Sequence, residues 1–257
     1  MLDNKHIEAF PPITLEEMDG IKLMNRIDTK FLTDEQTLAG ILDDALRCGY
    51  RALVTDGGKI ASYDTLYYDT PEMRMFMDHH NRRLVRQKVR TRVYVGSGAC
   101  FLEIKRKNNH GRTKKKRREI PFAEFKNFSG DAGACEYLAE KSWFTAAELS
   151  PSLETVFRRV TLVNPEKTER VTIDSELTFN NLRTEREASL RNGVVIELKQ
   201  DGHAESTIKR ILLDHRVKPI RVSKYCVGVT LTDPDIKSNR FKLKIRKIEK
   251  QINNKLI

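Results

Sequence analysis

Cations recur at every second position of Leu84–Val95, which reads LVRQKVRTRVYV. On a strand, side chains alternate between the two faces. Arg86, Lys88, Arg90 and Arg92 then share one face, and Val85, Val89, Val93 and Val95 share the other with Gln87 and Thr91. A helix would scatter both sets around its axis, so the period of two selects the strand. Like charges on one strand face repel. They are tolerable beneath a polyanion, or beside carboxylates from neighbouring strands. The chemistry that fits such a row is phosphate binding, with Arg gripping oxygens bidentately and Lys acting as a point charge.

Other segments sort the same way. Asn25–Thr33 sets Arg26, Asp28 and Lys30 against Ile27 and Phe31. Cys100–Lys107 sets Phe101, Glu103, Lys105 and Lys107 against Leu102 and Ile104. Arg170–Phe179 sets Arg170, Thr172, Asp174 and Glu176 against Val171, Ile173 and Leu177, and Gly193–Lys199 sets Val195, Glu197 and Lys199 against Val194, Ile196 and Leu198. In the strand Glu154–Asn164, adjacent Arg158 and Arg159 face opposite ways, so one of them points inward. The run RTKKKRRE from Arg112 reads as a basic strand with Lys114, Lys116 and Arg118 on one face, as a nucleic-acid or targeting patch, or as a solvated loop. Strands with one charged and one apolar face predict an α+β chain built on a closed antiparallel barrel. Its lumen is a charged tunnel, and its apolar exterior is covered by helices. Inside, cations would hold phosphate oxygens and carboxylates would hold a divalent metal bridging them.

The remaining elements position these strands. Thr14 and Glu17 form a capping box for a short helix. Asp34 caps a helix running to about Arg47, with Leu38, Ile41, Leu42 and Leu46 as its apolar stripe. Tyr63–Asp69 is an aromatic strand. Glu72–Asn81 is a helix whose Met73, Met75, Phe76 and Met77 pack in the core. Adjacent His79 and His80 point apart on it and make no metal pair. Gly96-Ser97-Gly98 is a hairpin turn. Phe122–Glu148 reads as helical and is broken by Pro151, and His203–His215 reads as a further helix. The domain spans residues 1–236. A basic extension over 237–257, with Phe241, Leu243, Ile245 and Ile248 interleaved, reads as a lipid- or nucleic-acid-binding tail, a solvated tail, or a helix on the barrel mouth.

The chain has 257 residues, 39% hydrophobic and 32% charged, with a net charge of +11. That excess points to phosphate-rich ligands, nucleic acid or an anionic membrane surface. The four cysteines form no C-x-x-C pair, which argues against a disulfide framework or a zinc site and suits a cytoplasmic location. No run of about 18 apolar residues is present to span a membrane, and the N-terminal stretch lacks the apolar core of a secretory signal.

Taken in order, RIDTKF, RQKVRTRVY, FLEIKRK, RVTIDSELTF, VIELK and SKY resemble the VTC-type polyphosphate polymerase domain of the triphosphate tunnel (CYTH-like) superfamily, over roughly residues 20–232. The resemblance implies an eight-stranded tunnel barrel that uses Mn2+ or Mg2+ and ATP. It gives Lys30, Arg90, Arg92, Lys105, Arg159, Arg170 and Lys224 as the catalytic cations, with Arg158 able to replace Arg159. It gives Glu197, joined by Glu103 and Asp174, as metal carboxylates. Arg26, Lys88, Lys199 and Ser223 would bind substrate, with Lys116 taken from the run Lys114–Lys116. Glu176 reads as a structural partner of a tunnel arginine.

One departure bears on the reaction. Triphosphatases and class IV-type cyclases of the superfamily begin with E-x-E-x-K, whereas this chain has Arg26-Ile27-Asp28-Thr29-Lys30. One acid fewer and one cation more favour phosphate-chain binding over metal binding. The expected activity is transfer of the ATP γ-phosphate to a growing inorganic polyphosphate chain. A metal-dependent triphosphate or nucleotide hydrolase, and a non-catalytic polyphosphate-binding module, are the alternatives. Expected partners are ATP, inorganic polyphosphate and an anionic membrane surface or membrane partner, with nucleic acid disfavoured.

Overall fold

Period-two alternation dictates the architecture. The computed structural model describes residues 4–19, 26–202 and 205–256, without the side chains of Asp19 and Arg26. Asn25, His203 and the Arg26 side chain, all used above, therefore lie outside the described residues. Eight long strands carry the fold: β1 (Arg26–Asp34), β2 (Ile60–Asp69), β3 (Arg86–Tyr94), β4 (Cys100–Lys107), β5 (Thr113–Ile120), β6 (Ser150–Val163), β7 (Glu169–Asn181) and β8 (Gly193–Asp201). They lie in the spatial order β1-β8-β7-β6-β2-β3-β4-β5, with antiparallel neighbours throughout. Short strands Pro12–Ile13, Arg51–Leu53 and Arg186–Ser189 complete the sheet.

The expected closed eight-stranded barrel does not form. The sheet is an open half-barrel whose end strands, β1 and β5, are not paired to each other. Two features hold the seam apart. The backbone of β1 is partnered by the segment near Pro219: Phe31 bridges Pro219, and Ile220 N donates to the Lys30 carbonyl at 2.8 Å. Strand β5 is exposed along Thr113–Glu119 and carries cations on both faces, and charge on an edge strand discourages pairing. The sheet nevertheless curls enough for Lys105 of β4 to feel Glu197 of β8 and Lys30 of β1 across its concave face.

Helices cover the convex, apolar face, as its composition requires. Phe31, Val160, Leu162, Val171, Ile173, Val194, Ile196 and Leu198 pack against helices Glu35–Arg47 and Thr207–Asp214. Val89, Val93, Leu102 and Ile104 pack with Phe125, Phe128 and Leu138, the last from helix Ala132–Lys141. Each such buried side chain is worth about 1.5–3 kcal/mol. The expected caps are present. Thr37 N donates to Asp34 Oδ1 at 2.7 Å, and Thr14 and Glu17 exchange both bonds of their capping box. Most of the expected helix over 122–148 is instead loop and short 3-10 turns, because Asn127 and Asp131 cap their own local turns and divide the segment.

At one end of the concave side the charged face gives way to an apolar plug. Helix Lys224–Thr232 brings Tyr225, Cys226 and Val229 against Leu32, Tyr67, Leu153, Phe157, Leu177, Phe179 and Val195. The C-terminal helix Lys242–Ile252 adds Ile245, Ile248 and Ile252 to the same cluster. Leu177 thus lies on the concave side, contrary to simple alternation. The β6–β7 register shifts between Val156 and Arg158, and Glu176 adopts a φ of 53°. That irregularity flips the faces of β7 beyond Asp174. Among the described residues, no helix is long and apolar enough to cross a membrane.

Candidate active site

Register brings the predicted charges together. On β3 and β4, Lys88 lies opposite Lys105, Arg90 opposite Glu103, and Arg92 opposite Phe101. On β8, Glu197 lies between Lys30 of β1 and Thr172 of β7, and Lys199 lies between Asp28 and Arg170. Asp174 of β7 faces Arg159 of β6. Strands remote in sequence therefore place their charged residues on one concave surface.

Three carboxylates organise that surface, and each is held by two cations. Glu103 is fully buried; its Oε2 accepts from Arg90 Nε at 2.7 Å and Nη2 at 2.5 Å, and its Oε1 from Lys115 Nζ at 2.7 Å. Asp174 accepts from Arg159 Nε at 2.5 Å and Nη2 at 2.8 Å, and lies 2.6 Å from Lys224 Nζ. Glu197 pairs with Lys30 Nζ at 2.5 Å and Lys199 Nζ at 3.7 Å.

An aromatic floor fixes the deepest cations. Tyr63 and Phe157 stack with centroids 5.3 Å apart. The Arg92 guanidinium lies 5.5 Å from the Tyr63 ring and 5.7 Å from Phe157, and that of Arg159 lies 5.0 and 5.3 Å away. Lys224 Nζ sits 3.0 Å from the Phe157 centroid. Arg92 Nε also donates to Thr65 Oγ1 at 3.1 Å, and Arg90 Nη1 to the Tyr67 hydroxyl at 3.2 Å. These contacts lock planar guanidiniums before any ligand arrives, so less rotamer freedom is lost on binding. Asp69 anchors the plug by accepting from the Tyr225 hydroxyl at 2.5 Å and from the backbone N–H groups of Met75 and Phe76.

The electrostatics are asymmetric. Burial raises the pKa of all three carboxyls, but their cations outweigh it: Arg90, Arg92 and Lys115 for Glu103, Arg159 and Lys224 for Asp174, and Lys30 and Lys199 for Glu197. All three stay ionised well below the ordinary carboxylate range. The lysines move down. Burial, opposed by Glu197 and aided by Arg170 and Arg159, pushes Lys199 to about 8, and burial likewise holds Lys105 and Lys224 well below the usual lysine value. Burial and neighbouring Arg90 lower Arg92 to about 10. Cations crowded this far are in deficit of negative charge, which a phosphate chain would supply.

Of the residues singled out in the sequence, Lys30, Arg90, Arg92, Lys105, Arg159, Arg170, Lys199 and Lys224 meet on the concave face. Lys88 lies at its edge, where its Nζ donates to Ser223 Oγ at 2.6 Å. The pair ambiguity resolves: Arg159 faces inward, whereas Arg158 pairs with Glu176 at 3.2 Å. Lys116 is misplaced by sequence. It lies opposite Ile104 in the convex row and is exposed, while Lys115, opposite Lys105, and Arg117, opposite Glu103, take the concave positions. Arg117 lies 4.6 Å from the Phe101 ring. Lys115, Arg117, Tyr63, Phe157 and the buried, unpartnered hydroxyl of Thr172 are the site features that sequence reading missed. Alternation in YDTLYYD already put Tyr63 on the face of Thr65 and Tyr67; only pairing with β4 fixes the phase of β5.

The three carboxylates do not form the expected metal cage. They stand on β4, β7 and β8, and no group of three His, Cys, Asp or Glu among the described residues is arranged to hold a metal ion. Their oxygens are committed to six cations, so the donor set present does not fit a protein-built divalent site.

The chain matches the VTC domain over residues 25–232. No curated protein sequence matches it. Solved structures share its fold at low identity. A proposed adenylate cyclase from Bacillus halodurans is 13% identical, with a TM-score of 0.51 covering 78% of this chain and 96% of that one. A proposed adenylyl cyclase from Hippeastrum, described as having a dominant triphosphatase activity, is 14% identical, with a TM-score of 0.50 covering 80% and 95%. The domain match over residues 25–232, which spans the curled sheet and its charged concave face, makes this chain a member of the VTC domain family.

Proposed function

We propose that the protein is a polyphosphate polymerase-type phosphotransferase that moves the γ-phosphate of ATP onto a growing inorganic polyphosphate chain. The observation that carries this reading is that Glu103, Asp174 and Glu197 are each held ionised by two cations. Such carboxylates are poor general bases, since a useful base has a pKa near the working pH. Hydrolysis calls for a positioned water and benefits from a base to take its proton. A terminal phosphate oxygen is already anionic at neutral pH and calls for neither.

In the proposed reaction the triphosphate lies against Arg90, Arg92, Lys105, Arg159, Arg170, Lys199 and Lys224. A terminal oxygen of the acceptor chain attacks the γ-phosphorus. The bond from γ-phosphorus to the β–γ bridging oxygen breaks, and its electron pair leaves with ADP. The chain gains one phosphate and no protein atom becomes covalently modified. Catalysis is positioning plus stabilisation of charge on the transferring group. The Mn2+ or Mg2+ that the resemblance implies enters no step of this scheme. The test is to incubate the purified protein with ATP, with and without added Mn2+, and to resolve ADP, orthophosphate and polymer. Polymer with matching ADP is the expected result. Orthophosphate without polymer assigns a hydrolase, the second reading, which the fold shared with the Hippeastrum protein favours.

A further inference from the structure

The cation row of β3 does not stop at the edge of the site. Arg92, Arg90, Lys88 and Arg86 follow one another on the concave face, and their partners on β4 are Phe101, Glu103, Lys105 and Lys107. Six residue steps at about 3.3 Å each make a track about 20 Å long, more than one triphosphate can occupy. At the outer end, Lys88 Nζ reaches Ser223 Oγ at 2.6 Å, and Ser223 lines a cleft with Arg221 and Lys244. Lys244 belongs to helix Lys242–Ile252, beyond the segment matched to the domain.

Arg86, Lys107, Arg221 and Lys244 come from four different segments and press on one another electrostatically. Half-buried His79 lines the same cleft, and desolvation together with Lys88, Arg86, Lys244 and Lys107 pushes its ring down to about 2, so it stays neutral. Among the described residues, none of the four mouth cations forms an ion pair with a carboxylate. Asp78, the carboxylate that acts on Arg86, is itself paired with Arg83 Nε at 3.3 Å. The interior cations are arranged around built-in carboxylates; these four are not. The same charge that is balanced inside is left for an external anion outside.

We infer that Arg86, Lys107, Arg221 and Lys244 form a second phosphate-chain station at the mouth, which grips the part of a long polyphosphate extending past the interior of the concave face. This rests on the reading of the concave face as a phosphate-chain site and adds a length preference to it. Short chains reach only the interior; long chains engage both stations. The C-terminal helix, which the domain match omits, is thereby part of the binding machinery. Exposed Leu84, Val85 and Leu243 flank these cations in sequence, so a membrane of anionic lipid is the competing occupant.

The test is binding of tripolyphosphate, of inorganic polyphosphate several tens of phosphates long, and of phosphatidylserine vesicles to the full chain and to Arg221→Ala/Lys244→Ala. The inference predicts tighter binding of the long chain than of tripolyphosphate by the wild type. The double variant loses about tenfold in long-chain affinity, equivalent to about 1.4 kcal/mol, and tripolyphosphate affinity is unchanged. Its long-chain salt dependence becomes shallower as two phosphate contacts are lost. Arg221→Lys/Lys244→Arg keeps the charge and restores binding. Equal loss for both phosphate ligands, or no loss for either, overturns the inference. So does loss of vesicle binding with long-chain binding intact, which assigns the surface to lipid. A wild type that binds tripolyphosphate but prefers no longer chain removes the mouth station and leaves the tunnel reading standing. A wild type that binds neither phosphate ligand removes both.

Discussion

The interior and the mouth of the concave face are both cationic, yet they are built on opposite principles. Inside, Glu103, Asp174 and Glu197 each hold two cations at 2.5–3.7 Å. At the mouth, Arg86, Lys107, Arg221 and Lys244 have no built-in counter-ion among the described residues. Burial explains the difference. A cation removed from water must be paired with a carboxylate or with substrate, because an uncompensated buried charge costs several kcal/mol. At the mouth Arg221 is exposed and Arg86, Lys107 and Lys244 are half-buried, so these cations keep part of their water and go unpaired at a smaller cost than a fully buried charge. The interior is therefore folded into shape before the ligand comes, whereas the mouth is only available.

That contrast fixes the order of mutational effects. Arg90→Ala removes a buried guanidinium that would contact the transferring group, and turnover should fall by about 100-fold or more; ADP release from ATP at saturating substrate measures it, and intact turnover breaks the proposed mechanism. Glu103→Gln leaves Arg90 and Lys115 without their shared acid, so the fold should lose about 3–5 kcal/mol by urea unfolding at pH 7. Lys115→Ala should weaken tripolyphosphate binding by about tenfold, while Lys116→Ala on the convex row changes it less than twofold. The mouth variant Arg221→Ala/Lys244→Ala should unfold within about 0.5 kcal/mol of wild type, a result that isolates binding from folding.

Titration separates the two regions again. Glu103 and Glu197 have ordinary values of 4.5 and Asp174 of 3.8, and all three are lowered in the fold. Groups with depressed folded pKa contribute stability that is complete above those ordinary values and is lost as pH falls below them. Unfolding free energy should therefore drop steeply below about pH 4.5, and the drop should shrink in Glu103→Gln. The lysines run the other way. Lys199 is pushed down to about 8, and Lys105 and Lys224 are lowered too, so part of this cation set is deprotonated when the site is empty at mildly alkaline pH. A bound phosphate chain favours their charged forms, so binding at pH 8.5 should take up protons. Calorimetry in buffers of different ionisation enthalpy reads this uptake, and the share contributed by Lys199 should be gone at pH 6.

Much of this arrangement was legible in the sequence. Strands β3, β4 and β8 alternate without interruption, so Arg90, Arg92, Glu103, Lys105, Glu197 and Lys199 could be assigned to one face before any pairing was known. What escaped was set by tertiary context. Strand β5 is basic at Lys114 through Arg118, so no apolar residue within that run marks its inward phase, and only pairing with β4 selects Lys115 over Lys116. The bulge at Glu176 interrupts the β7 alternation and turns Leu177 inward. The open seam depends on the segment near Pro219 partnering β1, a contact between residues far apart in sequence. The metal expectation rested on carboxylates placed on the lumen face and on the family resemblance, and the pairing of Glu103, Asp174 and Glu197 with local cations could not be read from one strand at a time.

The most direct test of the account follows the phosphorus itself. ATP labelled in its γ-phosphate is supplied to the full-length protein with unlabelled tripolyphosphate as acceptor, and the label is traced among products. The account predicts label in phosphate chains longer than the acceptor, with unlabelled ADP in equal amount and little labelled orthophosphate. Label appearing only as orthophosphate, with the acceptor unchanged in length, would contradict it and place water where the phosphate chain was expected.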